Sequence, residues 1–130
     1  MIPKTSTVRK QKGVYYLKNS TLLVNREEAD SIAGSIRGAY LDPAIKVLII
    51  DNSEAIGVWK PEAQEEAWAA VGDVMTKSSK KSVTLTKNII ATAQINRLAQ
   101  KHGLSDRIKA FENGLTSEVW QFLEHQPEDF

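Results

Sequence analysis

Apolar positions along the chain alternate between two periods, and the switches between them mark out the elements. Thr7–Gln11 and Val14–Leu17 read as two short strands, because Val14, Tyr15 and Tyr16 favour extended backbone, with Lys12-Gly13 as the turn between them. Asn19-Ser20 marks a second turn, and Thr21–Val24 is expected to add a third short strand. The period then lengthens. Ala29, Ile32, Ala33, Ile36 and Tyr40 recur at helical spacing. Asn25 can cap that helix, with Glu28 three positions on as in a capping box. Asp42-Pro43 ends it, since proline disfavours helical geometry in the residue before it.

Ile45–Ile50 is an aliphatic run broken only by Lys46, the pattern of a strand covered on both faces in a parallel sheet. Asp51-Asn52-Ser53 closes it and a loop runs to Lys60. Pro61 suits the first position of the next helix, whose buried face is Ala63, Ala67, Val71, Val74 and Met75, flanked by Trp68 and Ala70. After a polar turn at Lys77–Lys81, Ser82–Thr86 alternates as a strand. Asn88 caps a third helix carrying Ala91, Ile95, Leu98 and Ala99, and Gly103 stops it, with Leu104 folding back on Ala99. Arg107–Phe111 is a last strand. Asn113-Gly114 turns the chain, and Thr116 caps a closing helix with Val119, Trp120 and Leu123. Met1–Ser6 and His125–Phe130 are expected to be loose ends.

This order predicts an α/β fold: a mainly parallel sheet of successive β-α units behind an opening antiparallel β-hairpin. A length of 130 residues suits one domain, with its core at about residues 7–124. The apolar fraction of 42% and charged fraction of 25% are those of a globular chain rather than a disordered one. A net charge of +1 supplies no field to attract nucleic acid or anionic lipid. Cysteine is absent, which excludes disulfides, thiolate metal sites and cysteine nucleophiles. No apolar run is long enough to span a bilayer, and no apolar stretch follows the basic start, so the expected location is cytoplasmic.

With these elements in place the chain resembles the SpoIIAA-like, or STAS, architecture, in which β-α units wind as a short superhelix behind a hairpin. Three stretches resemble small bacterial proteins of that type. They are Val47-Leu48-Ile49-Ile50-Asp51 with the Pro61–Ala67 helix, then Ser82–Arg97, and then Lys109-Ala110-Phe111 followed by Val119–Leu123. The resemblance spans about residues 14–124. Anti-sigma-factor antagonists of this fold carry a phosphorylatable serine in an Asp-Ser-Ser-Gly-Leu-type turn after the third strand. Here the turn reads Asp51-Asn52-Ser53-Glu54-Ala55-Ile56-Gly57, without the serine pair or its glycine, so phosphorylation is not carried over to Ser53.

The candidate site is the Asp51–Lys60 loop, at the carboxyl end of a central strand, where open α/β sheets bind ligands. Its residues of interest are Asp51, Ser53, Ile56, Val58 and Trp59. The loop exceeds the common length of about 4–6 residues and carries three large apolar side chains. They either form a lid or partner-binding edge anchored by Trp59, or cap the core beneath. Ser53 near a helix start can bind an anion, or simply serve the turn as Asp, Asn and Ser commonly do. His102 and His125 are far from any nucleophile elbow and supply no metal cluster. Glu62, Glu65 and Glu66 sit where acids complement a helix dipole. Arg9, Lys10, Lys12, Lys77, Lys80, Lys81 and Lys87 lack the interleaved aromatics of single-strand binders and read as solvated or edge-protecting lysines and arginine. Gly34 and Gly38 match no phosphate loop and are expected to allow close helix–sheet packing.

These residues point to a non-catalytic binding or regulatory module, engaging a protein partner or a small apolar ligand, with no cofactor, no metal and no nucleic acid. Self-association as a homodimer stays open. The alternative is a small hydrolase-like enzyme whose carboxylates and Ser53 share a cleft that sequence does not reveal.

Overall fold

The computed structural model of the chain describes residues 2–59 and 61–126. The expectations for Met1, Lys60 and 127–130 lie outside these residues. Five strands form one sheet in the order β1(Ser6–Gln11), β2(Val14–Asn19), β3(Val47–Asp51), β4(Lys81–Leu85) and β5(Ile108–Phe111). The β1–β2 pair is antiparallel and every later pair is parallel. The helices are α1(Arg26–Leu41), α2(Pro61–Lys77), α3(Ile89–Lys101) and α4(Ser117–Leu123).

The hairpin closes through Lys12 and Gly13, both at positive φ (52° and 82°). A two-residue turn of this hand matches the twist of the flanking strands, and glycine accepts its geometry without Cβ strain. The helix starts follow the chemistry of their caps. Asn25 accepts from the Glu28 N–H at 2.8 Å and the Glu28 carboxylate accepts from the Asn25 N–H at 3.0 Å, a complete capping box. Asn88 accepts from the Ala91 N–H at 2.8 Å. At the end of α3, the Leu104 N–H reaches back to the Ala99 carbonyl at 2.8 Å, so Leu104 folds over the helix end as its sequence implied.

Strand β3 lies at the centre, with parallel neighbours on both sides, and Val47, Leu48 and Ile49 are at most 3% exposed. Alternation along it feeds two cores. Leu48 and Ile50 join Tyr15, Leu17 and Ile108 under α1, α2 and α3. Val47 and Ile49 join Val14, Val83, Leu85 and Phe111 under α4, through Val119 and Leu123. Successive crossovers of one hand, advancing in one direction along a sheet, stack their helices on the same face, which groups α1–α3 together.

Four local expectations are corrected. Thr21–Val24 forms no strand; a single bridge, Thr21 to Ile56, is all it contributes. Both edges of β2 are already paired, so the segment after Asn19 does not add beside it. Gly34 and Gly38 are exposed, and a Cβ at either would meet nothing within 4 Å, so they mediate no helix–sheet approach. Ala63 and Ala70 face solvent rather than the core. Thr116 occupies the N-cap of α4 without a side-chain capping bond.

Candidate functional site

The lysines are the first surprise at the sheet ends. Lys80 Nζ donates to the Ala39 and Asp42 carbonyls at 3.1 and 2.6 Å, adding a second donor at the end of α1 to those of the Asp42 and Ile45 N–H groups. Lys81 Nζ donates to the Phe122 carbonyl at 2.9 Å. Lys87 Nζ donates to the Ala55 and Gly57 carbonyls at 2.7 and 3.0 Å and so straps the β3–α2 loop. These are backbone caps rather than freely solvated charges.

The five loop residues singled out from the sequence separate onto two sides of the sheet. The Asp51 side chain lies on the α4 side with Tyr16 and is 7% exposed. Tyr16 donates its hydroxyl to Asp51 Oδ2, while Asp51 Oδ1 accepts from Ser53 Oγ at 2.5 Å and from the Ser53 N–H at 3.0 Å. Burial, then the bond to Asp51, pushes the Tyr16 phenol far above its ordinary value, so it stays a neutral donor. Ile56 spends its backbone on the neighbouring segment, its N–H on the Ser20 carbonyl and its carbonyl on the Leu22 N–H, and leaves its side chain 67% exposed. Val58 and Trp59 turn the other way.

Val58 and Trp59 line a cleft of about 540 Å³ between the sheet and α1–α3. Ile50, Thr84 and Ile108 contribute from the sheet. The helices contribute Ala29, Ala33, Ala67 and Ala91, alongside Ile36, Trp68 and Ile95. Alanine at four inward positions is the physical origin of the space: short side chains leave the gap between helix and sheet partly unfilled. Trp68 is fixed by stacking on His102 at 5.4 Å between ring centroids. Tyr40 lines the cleft as a neutral phenol, its pKa pushed up to about 12 by burial against a smaller lowering by its bond to Ser82.

One group of the polar lining residues lies where the parallel strands end, apart from Tyr40, Gln64, Ser82 and Gln94 elsewhere in the lining. Ser6 Oγ donates to Asn19 Oδ1 at 2.7 Å, and Asn19 Nδ2 donates to Asn52 Oδ1 at 2.7 Å. This relay sets the Asn52 amide with its NH₂ end as the free donor. Thr86 shares a 2.6 Å hydroxyl contact with Thr92 at the start of α3. The indole N–H of Trp59 is buried and has no hydrogen-bond partner. Among the described lining residues Lys87 alone is charged, and none is Asp, Glu or His. The described residues contain no group of His, Cys, Asp or Glu able to hold a metal ion, and no helix long and apolar enough to cross a membrane.

Of the residues singled out from the sequence, Val58 and Trp59 line the cleft; Asn19, Asn52, Thr86 and Lys87 line it as well without having been singled out as a site. A signal for them exists, since each lies at or just beyond the carboxyl end of a strand. Position alone does not reveal that their side chains share one wall.

No protein-family model matches the sequence, and no curated protein does. Solved structures do match by shape. The anti-sigma factor antagonist SpoIIAA in its unphosphorylated form aligns over 94% of this chain and 99% of its own, with a TM-score of 0.58 and 7% identity. A protein described as an enoyl-CoA hydratase/carnithine racemase, from Magnetospirillum magneticum AMB-1, aligns over 72% of this chain but 44% of its own, with a TM-score of 0.50 and 11% identity. The second likeness is confined to part of a larger chain, whereas the first spans both chains nearly end to end. With its antiparallel hairpin, its parallel β-α units and that full-length alignment, the chain has the SpoIIAA-like, STAS-type fold.

Proposed function

We propose that this protein is a non-catalytic binding module that holds a small apolar ligand between its sheet and α1–α3. The observation that carries the reading is the cleft itself: about 540 Å³, walled mainly by aliphatic and indole side chains, with a minority of polar groups. That size and lining match sites for small organic ligands. Trp59 and Val58 form the loop wall, while Ile56 and Leu23 are exposed and do not line the cleft. Asp51 and Ser53 act from the opposite face, holding the start of the loop in place.

A protein-docking role has a specific observation in its favour. Leu23, Ile56, Val58 and Ile90 are each 67–69% exposed, and Leu23 packs against Gly57 in the same loop. The hydrolase reading has less support. Ser53 does lie beside the Asp51 carboxylate, but neither residue lines the cleft, and His102 and His125 follow the ends of α3 and α4. Asp51 is a base within hydrogen-bond reach of Ser53, but the pair does not face the cleft in which a substrate would be held.

The test is titration with the uncharged fluorophore N-phenyl-1-naphthylamine. Saturation at one probe per chain is expected, with Trp59→Ala weakening it at least about tenfold while unfolding stays cooperative. Non-saturable binding, or an unaffected Trp59→Ala variant, overturns the reading. Loss of a natural protein partner in Trp59→Ala with the fluorophore still bound would instead favour the docking role.

A further inference from the structure

We infer that the ligand is a monocarboxylate amphiphile, with its carboxylate at the strand-end pole of the cleft and its apolar body along the alanine-lined wall. This rests on the cleft reading above and adds the chemistry of the head group. Three donors in the lining come from the connections after β3 and β4. They are the Asn52 amide NH₂, the Trp59 indole N–H and the Lys87 ammonium.

Each donor has capacity left over. The Asn52 carbonyl oxygen is used by Asn19, so the amide offers N–H groups only. The Trp59 N–H is buried with no acceptor at all. An unmade bond of that kind carries a desolvation cost that a ligand acceptor relieves. Lys87 spends two of its three N–H groups on the Ala55 and Gly57 carbonyls, and no carboxylate among the described residues pairs with its charge. Nearby, the first turn of α3 contains no acidic residue to offset its positive end. Spare donor capacity, one positive charge and no negative one in the described lining select an anionic acceptor over a cation. A carboxylate fits the small number of donors. Most of the remaining wall is aliphatic or aromatic, and its polar members Gln64 and Gln94 bond each other at 3.3 Å, so it favours an apolar body.

The experiment is a head-group series on one tail, dodecanoate, dodecanol and dodecylammonium, each displacing the naphthylamine probe at pH 7.5. Dodecanoate should displace it at least about tenfold more tightly than dodecanol, with dodecylammonium weakest, in keeping with one charge-assisted hydrogen bond. Lys87→Met should remove most of the preference for dodecanoate while leaving dodecanol within about twofold, and Lys87→Arg should restore it. Because Lys87 also straps the loop, Asn52→Asp supplies an independent arm. It keeps the Asn19 contact, swaps the donor for a negative charge, and should turn the series in favour of dodecylammonium. If all three head groups bind equally, or neither variant changes the order, the head-group assignment is wrong and the cleft reading survives. If none displaces the probe, and the probe itself binds without saturation, both readings fall.

Discussion

Replacing Ala67 with leucine should stabilise the protein, whereas the same change at Ala99 should destabilise it. Ala67 is half-buried on α2 and lines the cleft. Leucine adds three carbons there, worth up to about 2.4 kcal/mol at about 0.8 kcal/mol per buried carbon. Ordering the longer side chain removes about 0.5–1 kcal/mol. Helix propensity changes little, as alanine and leucine rank close together. Residual exposure of the site trims the gain further, leaving a net of about 1 kcal/mol. Ala99, on α3, is 1% exposed within the same core and does not line the cleft. Leucine there has no room and should cost about 1–3 kcal/mol through overpacking. Urea unfolding followed by circular dichroism measures both. With a slope of about 1–3 kcal/mol per molar, the Ala67→Leu midpoint should rise by about 0.3–1 M and the Ala99→Leu midpoint should fall. The Ala67→Leu variant should also bind the naphthylamine probe more weakly. If Ala67→Leu destabilises as much as Ala99→Leu, the helices collapse onto the sheet in solution, and the proposed ligand loses its space.

Further outcomes test other parts of the structure. Gly34→Ala and Gly38→Ala should each raise stability by about 0.5–1 kcal/mol, because both glycines lie in α1 with open space around an added Cβ; a loss in thermal or urea unfolding would show a close contact there. Gly57→Ala should cost at least about 1–2 kcal/mol, since φ is +86° and the new Cβ would stand 2.7 Å from the Leu23 side chain; unchanged stability and probe binding would mean the loop is not held in this form. Asp73, paired with Arg37 between α1 and α2 at 2.6 Å, has its carboxyl lowered from 3.8 to about 2, chiefly by that bond. The pair's contribution is therefore present above pH 3.8 and lost as pH falls towards 2, and it is small because both groups are exposed. Asp73→Asn should lower stability slightly at pH 7, with the gap to wild type closing below pH 2 in acid titrations. A gap independent of pH would assign the effect to something other than the carboxylate.

Much of the architecture is legible in local sequence, because it rests on interactions within a few residues. The Asn25–Glu28 capping box, the Asn88 cap, the Lys12-Gly13 turn and the Asp42-Pro43 stop each need only short-range chemistry. The Ile45–Ile50 run announces a central parallel strand because only double coverage tolerates such a pattern, and β3 is that strand. Strand–helix alternation then leads to the STAS-type order.

What tertiary structure alone decided is which side of the sheet each loop residue faces, and whether the helices fill the space they cover. Asp51 ends β3 and keeps the face of Val47 and Ile49, bonding Tyr16 under α4, whereas Trp59, eight positions on in the loop, lines the cleft under α1–α3. A loop has no fixed period, so sequence spacing does not assign its faces. The alanines at 29, 33, 67 and 91 look like ordinary core positions in a periodic pattern. Whether short side chains meet long ones or one another depends on how three helices from distant parts of the chain align over the sheet. That alignment, a product of long-range packing, creates the cleft.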